Sequence, residues 1–240
     1  MEKFCLITSG RAGSTSLIDA FAAYHDIGLP SANLDCKDNE LLHPARVQGY
    51  CKVYSKLFDR ESVDPADLVD LFYSLHAEAN YAGFKTMHNR HADVENFVRR
   101  PDIQFISLRR ADVSATVASF IHAMEMNTWR RDGGQPDYRW RFDKKNAKQV
   151  ASNVQYVLSS HLTLQQIPNV IALDYESLCQ PDFQNAALDK FFGRHISLQN
   201  PQPPTDASQY VLNWQEFDEF VKRQWRGMVK LLERRASQNS

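Results

Sequence analysis

The stretch CLITSGRAGSTSLI (Cys5–Ile18) passes from an apolar, strand-like segment through a loop of small residues into a segment of helical composition. A strand, a tight loop and a helix start together offer several backbone N–H groups and a dipole end to one anion. Gly10 and Gly13 allow the tight turn and a close approach of ligand to backbone. Ser14 and Thr15 bring hydroxyl donors, and Arg11 brings a forked guanidinium suited to phosphate or sulfate. A nucleoside-triphosphate loop reads GxxxxGK[ST]. Aligned on Gly13-Ser14-Thr15, this chain has Thr8 at the first Gly and Ser14 at the Lys. The spacing fits an anion-binding loop without triphosphate chemistry. A Gly/Ser turn that binds nothing is the plain alternative.

A second stretch, FISLRRADVSATVAS (Phe105–Ser119), repeats the arrangement. Arg109 and Arg110 end a strand of β-branched and aromatic residues, where α/β sheets place their ligands. Asp112 suits a helix N-cap, and Thr116 and Ser119 share its helical face. A surface arginine pair beside a packed serine is the alternative. Two anion-suited strand ends in one chain together match a ligand with two separated phosphate groups.

The elements expected to position these residues alternate between short apolar runs and longer segments of helical period, as in an α/β protein with a parallel sheet. Strands are expected at Phe4–Thr8, Ala82–Met87, Ile103–Arg110 and Asn169–Tyr175. Helices are expected from Ser14 to Tyr24, Asp64 to Ala79, after Asp112, from Lys144 to Gln166, Asp182 to Phe192, and Trp214 to about Arg235. The segments at Leu29–Pro44, Asp132–Trp140 and Asn200–Ser208, rich in Pro, Asn, Asp or Gly, read as loops. No internal repeat is visible, and one domain over residues 1–240 is expected.

Composition narrows the function classes. A chain of 240 residues with 43% hydrophobic and 24% charged residues is ordinary for a soluble protein. A formal net charge of −1 opposes a general nucleic-acid binder, which needs a broad basic surplus. No apolar run nears the ~20 residues of a membrane span. The N-terminus lacks the apolar region of a secretory signal. The four cysteines, Cys5, Cys36, Cys51 and Cys179, have no CxxC or zinc spacing, so reduced thiols in a cytoplasmic protein are expected. No metal-ligand cluster is apparent.

Four segments in order resemble the bacterial carbohydrate sulfotransferases, in the branch that holds the trehalose and nodulation-factor sulfotransferases. TSGRAGSTSL resembles their 5′-phosphosulfate loop, with Ser9, Arg11, Gly13, Ser14 and Thr15 matching and Ala12 in place of the usual Ser. GFKTMHN (Gly83–Asn89) resembles a following strand. LRRADVSATVASFIHAMEMNTW resembles the 3′-phosphate strand and helix, with Asp112, Ser119, Ala123 and Trp129 matching. IALDYESL resembles a late strand with its Tyr-Glu pair.

The resemblance implies a P-loop NTPase-like three-layer fold, with a central, mostly parallel sheet flanked by helices. It implies transfer of a sulfuryl group from 3′-phosphoadenosine-5′-phosphosulfate (PAPS) to a hydroxyl of a carbohydrate or other small acceptor, with no metal. Ser9, Gly10, Arg11, Ala12, Gly13, Ser14 and Thr15 would hold the 5′-phosphosulfate, and Arg109 or Arg110 with Ser119 the 3′-phosphate. Arg11, Ser14 and Lys85 are candidates to stabilise charge on the leaving oxygen. The general base is expected in the loop after the first helix, with Glu40 first and Asp35 and Asp38 behind it. His88 is the rival, standing where the branch usually has Trp. Trp129, Tyr138 and Trp140 flank a loop that would either stack on a ligand or join the core. A kinase-like phosphotransferase and a non-catalytic nucleotide-binding relative are the competing readings.

Overall fold

The structure is a computed structural model and describes residues 1–30, 39–44, 47–64, 67–89, 97–126, 139–198 and 206–238. Asp35, Asp38, Trp129 and Tyr138 lie outside these residues. The chain divides into two compact units. The first holds Met1–Arg109 and Thr163–Pro203, the second Arg110–Leu162 and Pro204–Ser240.

The first unit is built on five strands: β1 (Glu2–Thr8), β2 (Ile27–Gly28), β3 (Tyr81–Met87), β4 (Gln104–Arg109) and β5 (Ile171–Asp174). They form one sheet in the order β2-β3-β1-β4-β5. Every neighbouring pair is parallel. Consecutive side chains in a strand point to opposite faces, and each face of this sheet is apolar. Cys5, Ile7, Phe84 and Phe105 face one core; Phe4, Leu6, Ile106 and Leu108 face the other. This burial on both sides explains why the strands read as continuous apolar runs rather than alternating ones.

Helices cover both faces. Helix α1 (Ser14–Ala22) lies on the Phe4–Leu6 side with Leu17, Ile18 and Phe21 buried, together with Leu188 and Phe192 from the short helix at Ala186–Phe192. Phe21 meets Phe4 edge-on at 5.2 Å and tilts on Phe192 at 5.1 Å. Helices α2 (Val47–Leu57) and α3 (Leu68–Leu75) cover the opposite face through Tyr50, Tyr54, Leu68 and Phe72. The fold is thus α/β, with an all-parallel central sheet flanked by helices. β2 and α2 are among the elements with no counterpart in the sequence reading. β2 is two residues long, too short for any periodicity, and α2 carries Gly49 and β-branched residues that lower helical propensity.

Ion pairs lie near the N-terminal ends of the strands in this unit. Arg100 contacts both Asp70 and Asp102, and Lys3 reaches Asp102 at 2.8 Å. The Arg100 guanidinium holds the Asp102 carboxyl well below the usual carboxylate range. Arg194 donates two hydrogen bonds to Asp26 and lowers its pKa. Cys5, Cys51 and Cys179 are buried free thiols, and full burial pushes Cys5 well up.

The second unit is helical. It contains α4 (Val113–Glu125), the start of α5 (Ala147–Gln165), a 3-10 turn at Ala207–Tyr210, and the long C-terminal α8 (Trp214–Gln238), with α6 and α7 (Tyr175–Leu178 and Ala186–Phe192) belonging to the first unit. Its core gathers Val117, Ile121, Val150, Val154, Tyr210, Phe217 and Val221. Trp140 is buried there at 5% exposure, meeting Phe217 edge-on at 5.3 Å, so of the two roles open to it the core is the one it takes. Among the described residues no helix is long and apolar enough to cross a membrane.

Candidate functional site

The loop between β1 and α1 is held open in a left-handed conformation. Gly10, Arg11 and Gly13 have φ of 70°, 53° and 76°. Glycine takes this conformation without steric cost, but an arginine does not. Asn39, Asp59 and Asn169 are the other described non-glycine residues with positive φ, and Asn and Asp tolerate it far better. Arg11 is therefore the strained exception, and strain of this kind collects where a loop shape is needed for function. Backbone turns with residues in the left-handed region are of the kind that builds anion-binding concavities.

Gly13 is the N-cap of α1 and, being a glycine, makes no side-chain cap hydrogen bond. Ser16 N donates to the Gly13 carbonyl at 3.1 Å, while the N–H groups of Ser14 and Thr15 at the helix start have no intrahelical acceptor, so the positive dipole end of α1 suits an external anion. Around it, Ser9 and Ala12 are fully buried and Ser14 is 9% exposed, while Arg11, Gly13 and Thr15 are partly open to solvent. Thr8 fixes the loop's entry: its hydroxyl accepts from Gly10 N at 3.3 Å, and its carbonyl accepts from His88 N at 3.1 Å.

The structure brings the catalytic candidates to the same sheet. Lys85 lies in β3 opposite Leu6 of β1, and Glu40 forms an isolated parallel bridge with Lys85 on its other side. The Lys85 N–H donates to the Asn39 carbonyl at 2.8 Å. Paired residues point to the same face of a sheet, so Glu40 and Lys85 share the face that Leu6 shares with α1. Glu40, Lys85 and His88 are 4%, 6% and 5% exposed. Such residue types are rarely buried this deeply unless paired or functional.

The second basic segment differs from the first. Arg109 sits opposite Asp174 in the β4–β5 register, and its Nε donates to Asp174 Oδ1 at 2.8 Å. In the second unit, Arg110 and Ser119 are each 6% exposed. Asp112 caps α4 with its own carboxylate, accepting from Ala115 N at 2.8 Å. Thr116 is fully buried, and its hydroxyl donates to the Asp112 carbonyl at 2.8 Å. Helical position alone places Thr116 toward a ligand, whereas its hydroxyl serves the helix backbone.

Sequence reasoning missed Tyr175 as a neighbour of the loop. A Cβ built on Gly13 would fall 2.5 Å from Tyr175 Cδ2 and 2.6 Å from Cε2. The contact joins distant parts of the chain, and no local pattern signals it. Among the described residues no group of three or more His, Cys, Asp or Glu is arranged to hold a metal ion. No protein-family model matches the chain, and comparison with curated proteins finds no match.

Proposed function

We propose that the chain is a PAPS-dependent sulfotransferase acting on a hydroxyl of a carbohydrate or other small acceptor. The observation that carries this reading is the uncapped N-terminus of α1 behind a left-handed loop that holds Arg11 and lacks a Lys. Phosphate-cradling geometry without the triphosphate Lys suits a phosphosulfate. The four ordered segments that resemble the bacterial carbohydrate sulfotransferases support the same reading.

PAPS supplies an activated sulfuryl group on a phosphate leaving group. The roles of the chain's own residues follow from their places. The N–H groups of the loop and the hydroxyls of Ser14 and Thr15 bind and orient the 5′-phosphosulfate. Arg11 and Lys85 offer positive charge where negative charge grows on the leaving oxygen, a preorganised contribution. Glu40 takes the acceptor's hydroxyl proton, a role supported by its backbone bridge to Lys85 in β3. His88 stays the second candidate for that proton, positioned through its N–H to Thr8. The resemblance assigns the 3′-phosphate to Arg109 or Arg110 with Ser119.

Two measurements test the proposal. Adenosine 3′,5′-bisphosphate is titrated against the protein by calorimetry, and transfer of radiolabelled sulfate is screened across sugar, glycolipid and small hydroxylated acceptors. Binding of the bisphosphate together with labelled product is expected. Glu40→Ala should then lower kcat by roughly 10²–10⁴-fold with the bisphosphate affinity kept, as loss of a general base does. Absence of bisphosphate binding, or magnesium-dependent nucleotide triphosphate hydrolysis in its place, overturns the reading.

A further inference from the structure

We propose that Tyr175 is the positioning residue of the Gly10–Thr15 loop, and that the Arg109–Asp174 ion pair holds Tyr175 in place. The proposal rests on reading that loop as the anion site, and it adds a residue and a tether that the reading does not contain.

The chain of contacts runs within the first unit. β4 and β5 pair in parallel with Arg109 opposite Asp174, and the Arg109 Nε–H donates to Asp174 Oδ1 at 2.8 Å. Asp174 is the N-cap residue of the four-residue helix α6, but its side chain makes no cap hydrogen bond to that helix. Its carboxylate is turned instead to Arg109. Tyr175 follows as the first residue of α6, and its Cys179 turn is closed by Cys179 N donating to the Tyr175 carbonyl at 3.1 Å.

The Tyr175 ring edge, Cδ2 to Cε2, lies where a side chain on Gly13 would be. Residue 13 is thus required to be glycine twice, once by its φ of 76° and once by the ring. Gly13 N-caps α1 with no side-chain cap hydrogen bond of its own. A left-handed loop with an arginine at φ 53° does not keep its shape through its own torsional preferences. The ring supports the loop from the side on which Gly13 carries only a hydrogen, and so fixes the direction of the N–H groups at the start of α1. Supporting groups of this kind govern binding by holding donors in place while touching no ligand.

The Arg109–Asp174 pair has side chains 38% and 42% exposed, and pairs this open to water stabilise little. Its part is geometric: it keeps the β5–α6 corner against the β4 end, with Tyr175 leading from that corner to the loop. Arg109 then serves the loop from a distance, through a second residue.

The test uses the full chain and two readouts. The first is affinity for adenosine 3′,5′-bisphosphate, and for inorganic sulfate as the simplest occupant, by calorimetry. Tyr175→Ala should weaken bisphosphate binding about tenfold, as when a donor cradle loses support but keeps its donors. Tyr175→Phe should restore affinity to within about twofold, because the ring edge at Gly13 is unchanged. Asp174→Asn should have a smaller effect, about two- to threefold. The second readout is a thermal-unfolding cycle with Gly13→Ala and Tyr175→Ala, alone and combined. Gly13→Ala should lower the midpoint more in the parent than in the Tyr175→Ala background, where its new methyl no longer meets the ring.

Additivity in that cycle overturns the proposal, whatever the protein binds. So does a Tyr175→Ala variant that binds the bisphosphate like the parent, and in that case the sulfotransferase reading survives. If the parent binds neither bisphosphate nor sulfate while the cycle shows coupling, the sulfotransferase reading falls and the support of the loop by Tyr175 stands.

Discussion

Helices α1 and α4 each follow in the chain on the C-terminal end of a parallel strand, and each is preceded by arginine. Helix α1 starts from a glycine at φ 76° with no side-chain cap, whereas α4 starts from Asp112, whose carboxylate accepts from Ala115 N. The two junctions look alike as sequences and treat the helix dipole in opposite ways. An aspartate at an N-cap satisfies a first-turn N–H and places negative charge at the positive end. That end is then a poor place for a second anion. The end of α1 carries no such charge, and the nearby cation belongs to a residue held in a strained conformation. The proposed binding of a 3′-phosphate by the second segment therefore depends on side chains, Arg109 or Arg110 with Ser119, rather than on the start of a helix.

A strained, uncapped junction needs compensation from packing elsewhere, and α1 has it on its far side. Phe21 is fully buried between Phe4 and Phe192, with ring centroids at 5.2 and 5.1 Å. Phe21→Ala should cost about 3–5 kcal/mol in chemical unfolding, the range for removing a buried phenylalanine. The same variant should weaken bisphosphate binding, because α1 would no longer be fixed behind its loop. No comparable dependence is expected of α4, whose start is closed by its own side chain. A Phe21→Ala protein that loses stability yet binds the bisphosphate unchanged would break the link between packing and loop shape.

The difference between the junctions was only partly legible in the sequence. The parallel sheet could be read because each strand is buried on both faces, so that FCLIT and IQFISLRR carry no alternation. The Asp112 cap could be read because an N-cap is set by a residue and its neighbours three positions on. Three features depend on pairing across the fold and left no local trace. Glu40 is aligned with Lys85 by a single bridge at the edge of β3, Arg109 is drawn to Asp174 by register, and the Tyr175 ring fills the space left by Gly13. The strain at Arg11 was equally hidden, since composition does not say which residue of a loop takes positive φ.

A second way to sharpen the comparison is to remove the cap that α4 has. Asp112→Ala should destabilise the protein by about 1 kcal/mol, the usual cost of losing an N-cap. Denaturant midpoints at constant slope measure it. Asp112→Asn should recover most of that loss, since an asparagine side chain also accepts at an N-cap. It also removes the negative charge from the helix start, so inorganic sulfate should bind the Asp112→Asn protein no more weakly than the parent. Weaker sulfate binding in Asp112→Asn would mean that the carboxylate orders an anion site instead of opposing one.

The smallest expected effect separates the charge of Arg11 from its backbone conformation. At most positions replacing a residue by glycine costs stability relative to alanine, by about 0.5–1 kcal/mol in regular elements. At φ 53° the order should reverse, because alanine retains the left-handed penalty of roughly 1–2 kcal/mol and glycine does not. Arg11→Gly should therefore unfold at a higher temperature than Arg11→Ala. Both variants lose the guanidinium, and both should bind the bisphosphate more weakly than the parent. If the two variants are equally stable, Arg11 is not strained in the free protein. If both bind as tightly as the parent, the loop holds its anion through backbone N–H groups alone, and the arginine at its centre has another task. A more stable but weaker-binding Arg11→Gly protein would show the trade that distinguishes this junction from the self-capped one: conformational strain retained at Arg11 because a cation is needed at that point of the loop.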